Sequence, residues 1–246
     1  MHPGRLRRLG LLGMAFWLSM QYVSAATDSL TFASFQQKVP NQLALTLTNN
    51  GISGVGKMDT FSSSLTPIWF SIDQDAPTTL PGTGMAGTTI DAYLWLTATT
   101  NTTATQFGSV LDQPFNNGTT IQIQSKADYL LGNQNYLLVA FYQLGDMVGT
   151  ANQRSSTEFN GTDVIYSSHY LNMSAAANGA LGLGFSNITP KYKIRNNGLV
   201  DSFTASSVGT FSAEFTPEPE TYLLFATCLF PLLWKARQWH RQKFDG

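Results

Sequence analysis

Short runs of alternating apolar and polar residues recur from residue 30 to residue 215. They lie at residues 30–35, 43–48, 67–72, 90–97, 119–123 and 136–143, and again at 164–170, 181–185, 191–195, 200–205 and 208–215. β-Branched and aromatic residues dominate them, and the period of two is that of pleated, half-buried strands. Three Asn-Asn-Gly triplets, at 49–51, 116–118 and 196–198, supply the positive-φ residues that tight turns require. Helical periodicity is never sustained over three turns; the nearest approach, residues 174–181, is weakened by Gly179. Residues 51–66 and 77–89 read as long surface loops. Together these features predict an all-β fold, an antiparallel β-sandwich of jelly-roll type occupying residues 27–215 as one domain. Roughly 190 residues are enough for a core that needs no covalent staples.

The two ends break this pattern. Residues 1–8 hold Arg5, Arg7 and Arg8 and no acid, residues 9–20 are apolar, and small residues follow at 23–26. That order predicts a secretory signal peptide over residues 1–26, with an apolar run too short for an ordinary spanning helix. At the other end Pro217, Glu218 and Pro219 precede an apolar run at 222–234 and a tail, 235–246, with Lys235, Arg237, Arg241 and Lys243. Prolines on both sides of a glutamate hold the segment extended. The thirteen apolar residues fall short of the ~20 that span hydrocarbon unaided, although snorkelling lysine and arginine with Tyr222, Trp234 and Trp239 at the interfaces offsets part of the deficit. The basic tail is expected to stay cytoplasmic, leaving the β-domain outside. The predicted arrangement is a domain with flexible termini and a C-terminal hydrophobic helix.

Pro217-Glu218-Pro219, the apolar run and the basic end, behind an N-terminal signal, resemble the PEP-CTERM sorting signal of Gram-negative bacteria. The resemblance covers about the last thirty residues and does not extend to the central domain. Glu220 stands where such signals usually have a small residue, and the apolar run carries Pro231 and aromatics in place of many glycines. The resemblance implies export through the Sec translocon and signal peptidase and transient anchoring in the inner membrane. Processing by an exosortase would follow, with delivery to the cell surface or to an exopolysaccharide-rich biofilm matrix.

Composition narrows the chemistry. Charged residues are 12% of the chain, about half the ~25% usual for soluble proteins. Between residues 27 and 216 seven Lys and Arg stand against twelve Asp and Glu, a balance of −5. A mildly acidic middle argues against nucleic acid as a partner, which needs a basic footprint. Cys228 is the only cysteine and lies in the terminal apolar run, so neither an intramolecular disulfide nor a cysteine metal site is expected.

Candidate sites are sparse, and no cofactor is expected. Asp73 and Asp75, with Asp91 beyond a glycine-rich loop, are weak candidates for calcium, which wants six to eight oxygens; no EF-hand or RTX spacing is present. Trp69 and Trp95 with Tyr93 are candidates for stacking on sugars, but their apolar strands favour core packing. Lys191, Lys193 and Arg195 alternate with Tyr192 and Ile194, either a patch for acidic polysaccharide or, more simply, a solvated strand face. Five Asn-x-Ser/Thr sequons, at Asn101, Asn117, Asn160, Asn172 and Asn187, follow from composition. No nucleophile elbow and no His-Glu-x-x-His occur, and His169 is the only histidine of the middle segment. Glu158 and Glu214, its only glutamates, lie in no motif. The expectation is therefore no catalytic residues: a non-catalytic surface or matrix protein associated with exopolysaccharide. The alternatives are a secreted carbohydrate-active hydrolase or a lectin-like glycan-binding module.

Overall fold

The computed structural model describes residues 29–215, apart from 39–44, 52–58, 75, 77–84, 155–156, 175 and 197. The predicted signal peptide and the whole of residues 216–246, with their sorting motif, hydrophobic helix and basic tail, lie outside the described residues. The described strands are β1 (Ser29–Gln37), β2 (Leu45–Asn49), β3 (Asp59–Ser63), β4 (Thr66–Ile72), β5 (Thr89–Thr100), β6 (Thr105–Phe107), β7 (Val110–Phe115) and β8 (Thr119–Ser125). One helical turn and a half, α1 (Lys126–Leu131), separates these from β9 (Tyr136–Tyr142), β10 (Gly145–Thr150), β11 (Thr157–Ser167), β12 (Ala176–Thr189) and β13 (Phe203–Phe215).

The all-β, antiparallel character predicted from the pattern is present, but the sandwich is not. The sheet closes into an eight-stranded barrel in the order β1-β4-β5-β8-β9-β11-β12-β13, with β13 paired back onto β1. A sandwich needs strands that stay in one of two sheets. Here β5, β11 and β13 are 11 to 13 residues long and change neighbours along their length. Thus β13 pairs with β2 at Phe203–Ala205 and with β1 beyond Val208. Likewise β5 pairs with β4 near its start and with β3 near its end. The strands bend at bulges in the β11–β12 and β12–β13 pairings, and Asp163, Asn178 and Asn187 sit there with φ of 55°, 47° and 55°. Asn and Asp tolerate that left-handed conformation better than other side chains, and a bulge raises twist and curvature where a wall must close.

Alternation then sorts the side chains. Inside, Phe35, Phe70, Tyr166 and Phe211 pack ring on ring, with Phe211 centroids 6.0, 6.3 and 6.3 Å from the other three. A second cluster joins Phe61, Phe115, Phe159 and Tyr142 at 5.3–5.8 Å. Buried Gln113 ties these strands to the β12–β13 connection: its Oε1 accepts from Val200 N–H at 3.1 Å, and its Nε2 donates to Thr102 O and Pro114 O. The interior is thus a filled core. Outward positions are largely Thr, Ser, Gln and Asn, as with Ser34 and Gln36 on β1, Thr120 and Gln122 on β8, and Thr210 and Ser212 on β13. A lipid-spanning barrel shows the reverse pattern. Among the described residues no helix is long and apolar enough to cross a membrane.

Because every neighbouring pair is antiparallel, the start of β1, the end of β13 and α1 share one pole of the barrel. The pair β2–β3 and the strands β6, β7 and β10 extend the wall at the other.

Candidate functional site

Few of the residues singled out in the sequence come together. Asp73 is exposed beyond β4, and Asp75 is outside the described residues. Asp91 is already paired with protein cations, Lys38 Nζ at 2.5 Å and Lys126 Nζ at 3.9 Å. No group of three or more candidate metal-ligating side chains occurs among the described residues. Lys191, Lys193 and Arg195 lie in the β12–β13 connection and not in a strand, although their alternation is real. Tyr192 is buried with its hydroxyl donating to Met147 O at 2.9 Å, while Lys193 and Arg195 stay outside, both on Asp201 at 3.7 and 3.3 Å.

His169 follows β11, and its Nδ1 accepts the N–H of Tyr136 at 3.1 Å. A triad histidine must instead donate from that nitrogen to a carboxylate. The neighbouring Ser168 hydroxyl donates to Leu137 O at 2.6 Å and accepts from two backbone N–H groups. Asp128 is bound by Tyr170, Ser125 and Asn133. The hydrogen bond from Tyr170 is the main reason the Asp128 carboxyl titrates below the ordinary carboxylate range. Glu158 and Glu214 stand two strands apart and six residues out of step, about 20 Å by strand rise. The carboxylate pair of a glycosidase sits within ~10 Å.

The tryptophans differ from expectation. Trp69 and Trp95 project outward from β4 and β5 and not into the core; Trp69 is 37% exposed. Lys38 Nζ lies 4.3 Å over the Trp69 ring, and Trp95 meets Tyr136 edge-on at 5.9 Å. The apolar character of these strands comes from the inward partners Ile68, Phe70, Leu94 and Leu96, and the alternation carries the indoles to the other face.

Beside Trp69 lies an open groove of ≈ 620 Å³ in the outer wall, crossing β11, β12, β13, β1 and β4. Cross-strand pairing builds it from two rows. One runs Asn160–Gly182–Thr210–Ser34–Ser71 and the other Glu158–Gly184–Val208–Gln36, with Trp69 the next residue in line. Gly182 and Gly184 form the floor, because β12 reads Gly-Leu-Gly-Leu-style alternation with Leu181, Leu183 and Phe185 inward. Amide, hydroxyl and carboxylate groups make the rim. Sequence reasoning missed this site; its only signal was the alternation of glycine with apolar residues at 182–184, which reads as a buried strand.

No protein-family model matches the chain, and no curated protein or solved structure shows significant similarity to it.

Proposed function

We propose that this chain is an exported, non-catalytic surface or extracellular-matrix protein, delivered by an exosortase-type system and associated with exopolysaccharide. The observation that carries the reading is the ordered C-terminus: Pro217-Glu218-Pro219, the apolar run 222–234, and Lys235, Arg237, Arg241 and Lys243, behind an N-terminal signal. The barrel supports it. Its core is apolar and filled, its outer wall is rich in hydroxyl and amide groups, and His169 and the glutamates are not arranged for hydrolysis. The groove in the outer wall is the surface open to recognition among the described residues.

Replacing Pro217-Glu218-Pro219 by alanines tests the sorting step. The variant is expected to accumulate at full length in the membrane fraction, while the natural chain is shortened and appears outside the cell. Identical maturation of both, followed by mass, would overturn the assignment of the tail. Release of soluble sugars from a polysaccharide panel would instead make the protein a hydrolase.

A further inference from the structure

We propose that the groove over β12 binds an uncharged polysaccharide strand, a proposal that rests on the reading of this chain as a polysaccharide-associated protein. The argument begins with the two kinds of glycine in the wall. Gly145, Gly149, Gly161 and Gly179 are required by packing. A β-carbon at Gly145 or Gly161 would lie 2.5 or 2.6 Å from the ring of Tyr142, one at Gly149 would strike Thr157, and one at Gly179 would strike the backbone of Val164. Gly182 and Gly184 are different. A β-carbon on Gly182 would stand 3.7 Å from Asn160 Oδ1 and Thr210 Oγ1, and one on Gly184 3.4 Å from Val208 Cγ2, ordinary or near-ordinary contacts. Neither has a positive φ. Folding does not demand glycine at these two places, and in the middle of a strand glycine weakens the ladder. What the missing side chains do provide is the depth of the groove. Such a strand glycine marks close approach by a ligand or another backbone.

The rim names the chemistry of that ligand. Ser34, Gln36, Ser71, Asn160 and Thr210 each both donate and accept, as successive sugar hydroxyls require, and Glu158 accepts. Val208, 55% exposed, and the indole of Trp69 add apolar surface for sugar C–H faces. The site is elongated, crossing four inter-strand steps of ~4.8 Å each, which suits a chain better than a single sugar. Glu158 is the only charged residue lining it. The nearest outward groups on the β11 side are also acids: Asp146 stands opposite Asn160, and Asp112 is opposite Val148, itself opposite Glu158. A uronate- or phosphate-bearing chain meets like charge there, whereas a neutral one meets none. A peptide strand gains little, because the groove lies on the face of the sheet, where the ladder already uses the main-chain groups.

The test is affinity electrophoresis of the full-length chain, in a detergent without a sugar headgroup, through gels containing dextran, hydroxyethyl cellulose, galactomannan, alginate or chitosan. The natural chain is expected to be retarded by at least one of the three neutral polymers and not by alginate, while retardation by chitosan, which the acidic surface alone can produce, is expected to be unchanged by the glycine variants. Gly182→Val and Gly184→Val are expected to weaken retardation by the neutral polymers at least about tenfold in apparent Kd, with a melting temperature equal to or above that of the natural chain. Should a valine variant fail to fold, Gly182→Ala and Gly184→Ala carry the same comparison. Undiminished binding of the neutral polymers by folded glycine variants, or stronger retardation by alginate than by the neutral polymers, would overturn the groove and its ligand class while leaving polysaccharide association intact. Retardation by no polymer at all would remove both readings.

Discussion

Individual residues in this wall are judged by which side they face. Gly161 faces in, against Tyr142, whose ring is 1% exposed and also touches Phe159. Gly161→Ala forces a methyl group to within 2.6 Å of that ring, so a destabilisation of about 1–3 kcal/mol is expected, read as a lower denaturant midpoint. Asp112 faces out but is partly covered. Burial first, and then the neighbouring Asp146, push its carboxyl above the ordinary carboxylate range. Folding therefore favours the protonated form. The favourable contribution is full below the unfolded value of ~3.9 and is lost as pH rises through the raised folded value. Asp112→Asn is expected to raise stability at pH 7, by no more than about 1 kcal/mol because the group is partly solvated. The gain should vanish near pH 3, and thermal melts at the two pH values measure it.

Among the elements, α1 carries its sequence signal at its ends and not in its periodicity. Ser125 and Asp128 have the spacing of a capping pair; the serine half forms, and the two side chains bond to each other. Ser125 Oγ accepts the Asp128 N–H at 3.0 Å and donates to Asp128 Oδ2 at 2.7 Å, and Gly132 closes the turn at φ 72°. Six residues are too few for a periodicity signal, which is why the pattern of apolar positions missed it. Ser125→Ala is expected to cost about 1 kcal/mol, measured by chemical denaturation at neutral pH. Of the segment 174–181, the nearest to a helical pattern, residues 176–181 lie in β12. Strands with clean alternation, such as β4, β5, β8 and β9, lie where the pattern put them. Strands with polar outward residues, some with glycine on the inward side, such as β3, β10 and the first half of β11, were invisible because their composition looks like that of loops. The Asn-Asn-Gly triplets served different ends. Gly198, from the last of them, donates its N–H to Arg195 O at 3.0 Å under the Ile194–Val200 bridge, whereas 116–118 only bends the path from β7 into β8.

For the whole molecule, the class of fold was legible and the closure was not. Alternation specifies which face of each strand is buried but not whether two faces meet across a sandwich or around a barrel. The decision lies in long-range pairings, in particular Ser29 with Glu214 and Leu183 with Gly209, and in bulge residues such as Asp163 whose role has no local sequence mark. The groove was illegible for the same reason. Its rim comes from positions 34 to 210, and only the pairing of β11, β12, β13, β1 and β4 sets Glu158, Gln36 and Trp69 along one line.

The seam between β1 and β13 has a consequence for the order in which the cylinder can form. The earliest strand can pair with β4 well before synthesis ends, but its second partner is the last strand of the wall, so the cylinder has no finished form until residues 203–215 are in place. Closure between such distant positions is slow by nature. Under the proposed export, that slowness would keep the chain threadable until its last strand had crossed.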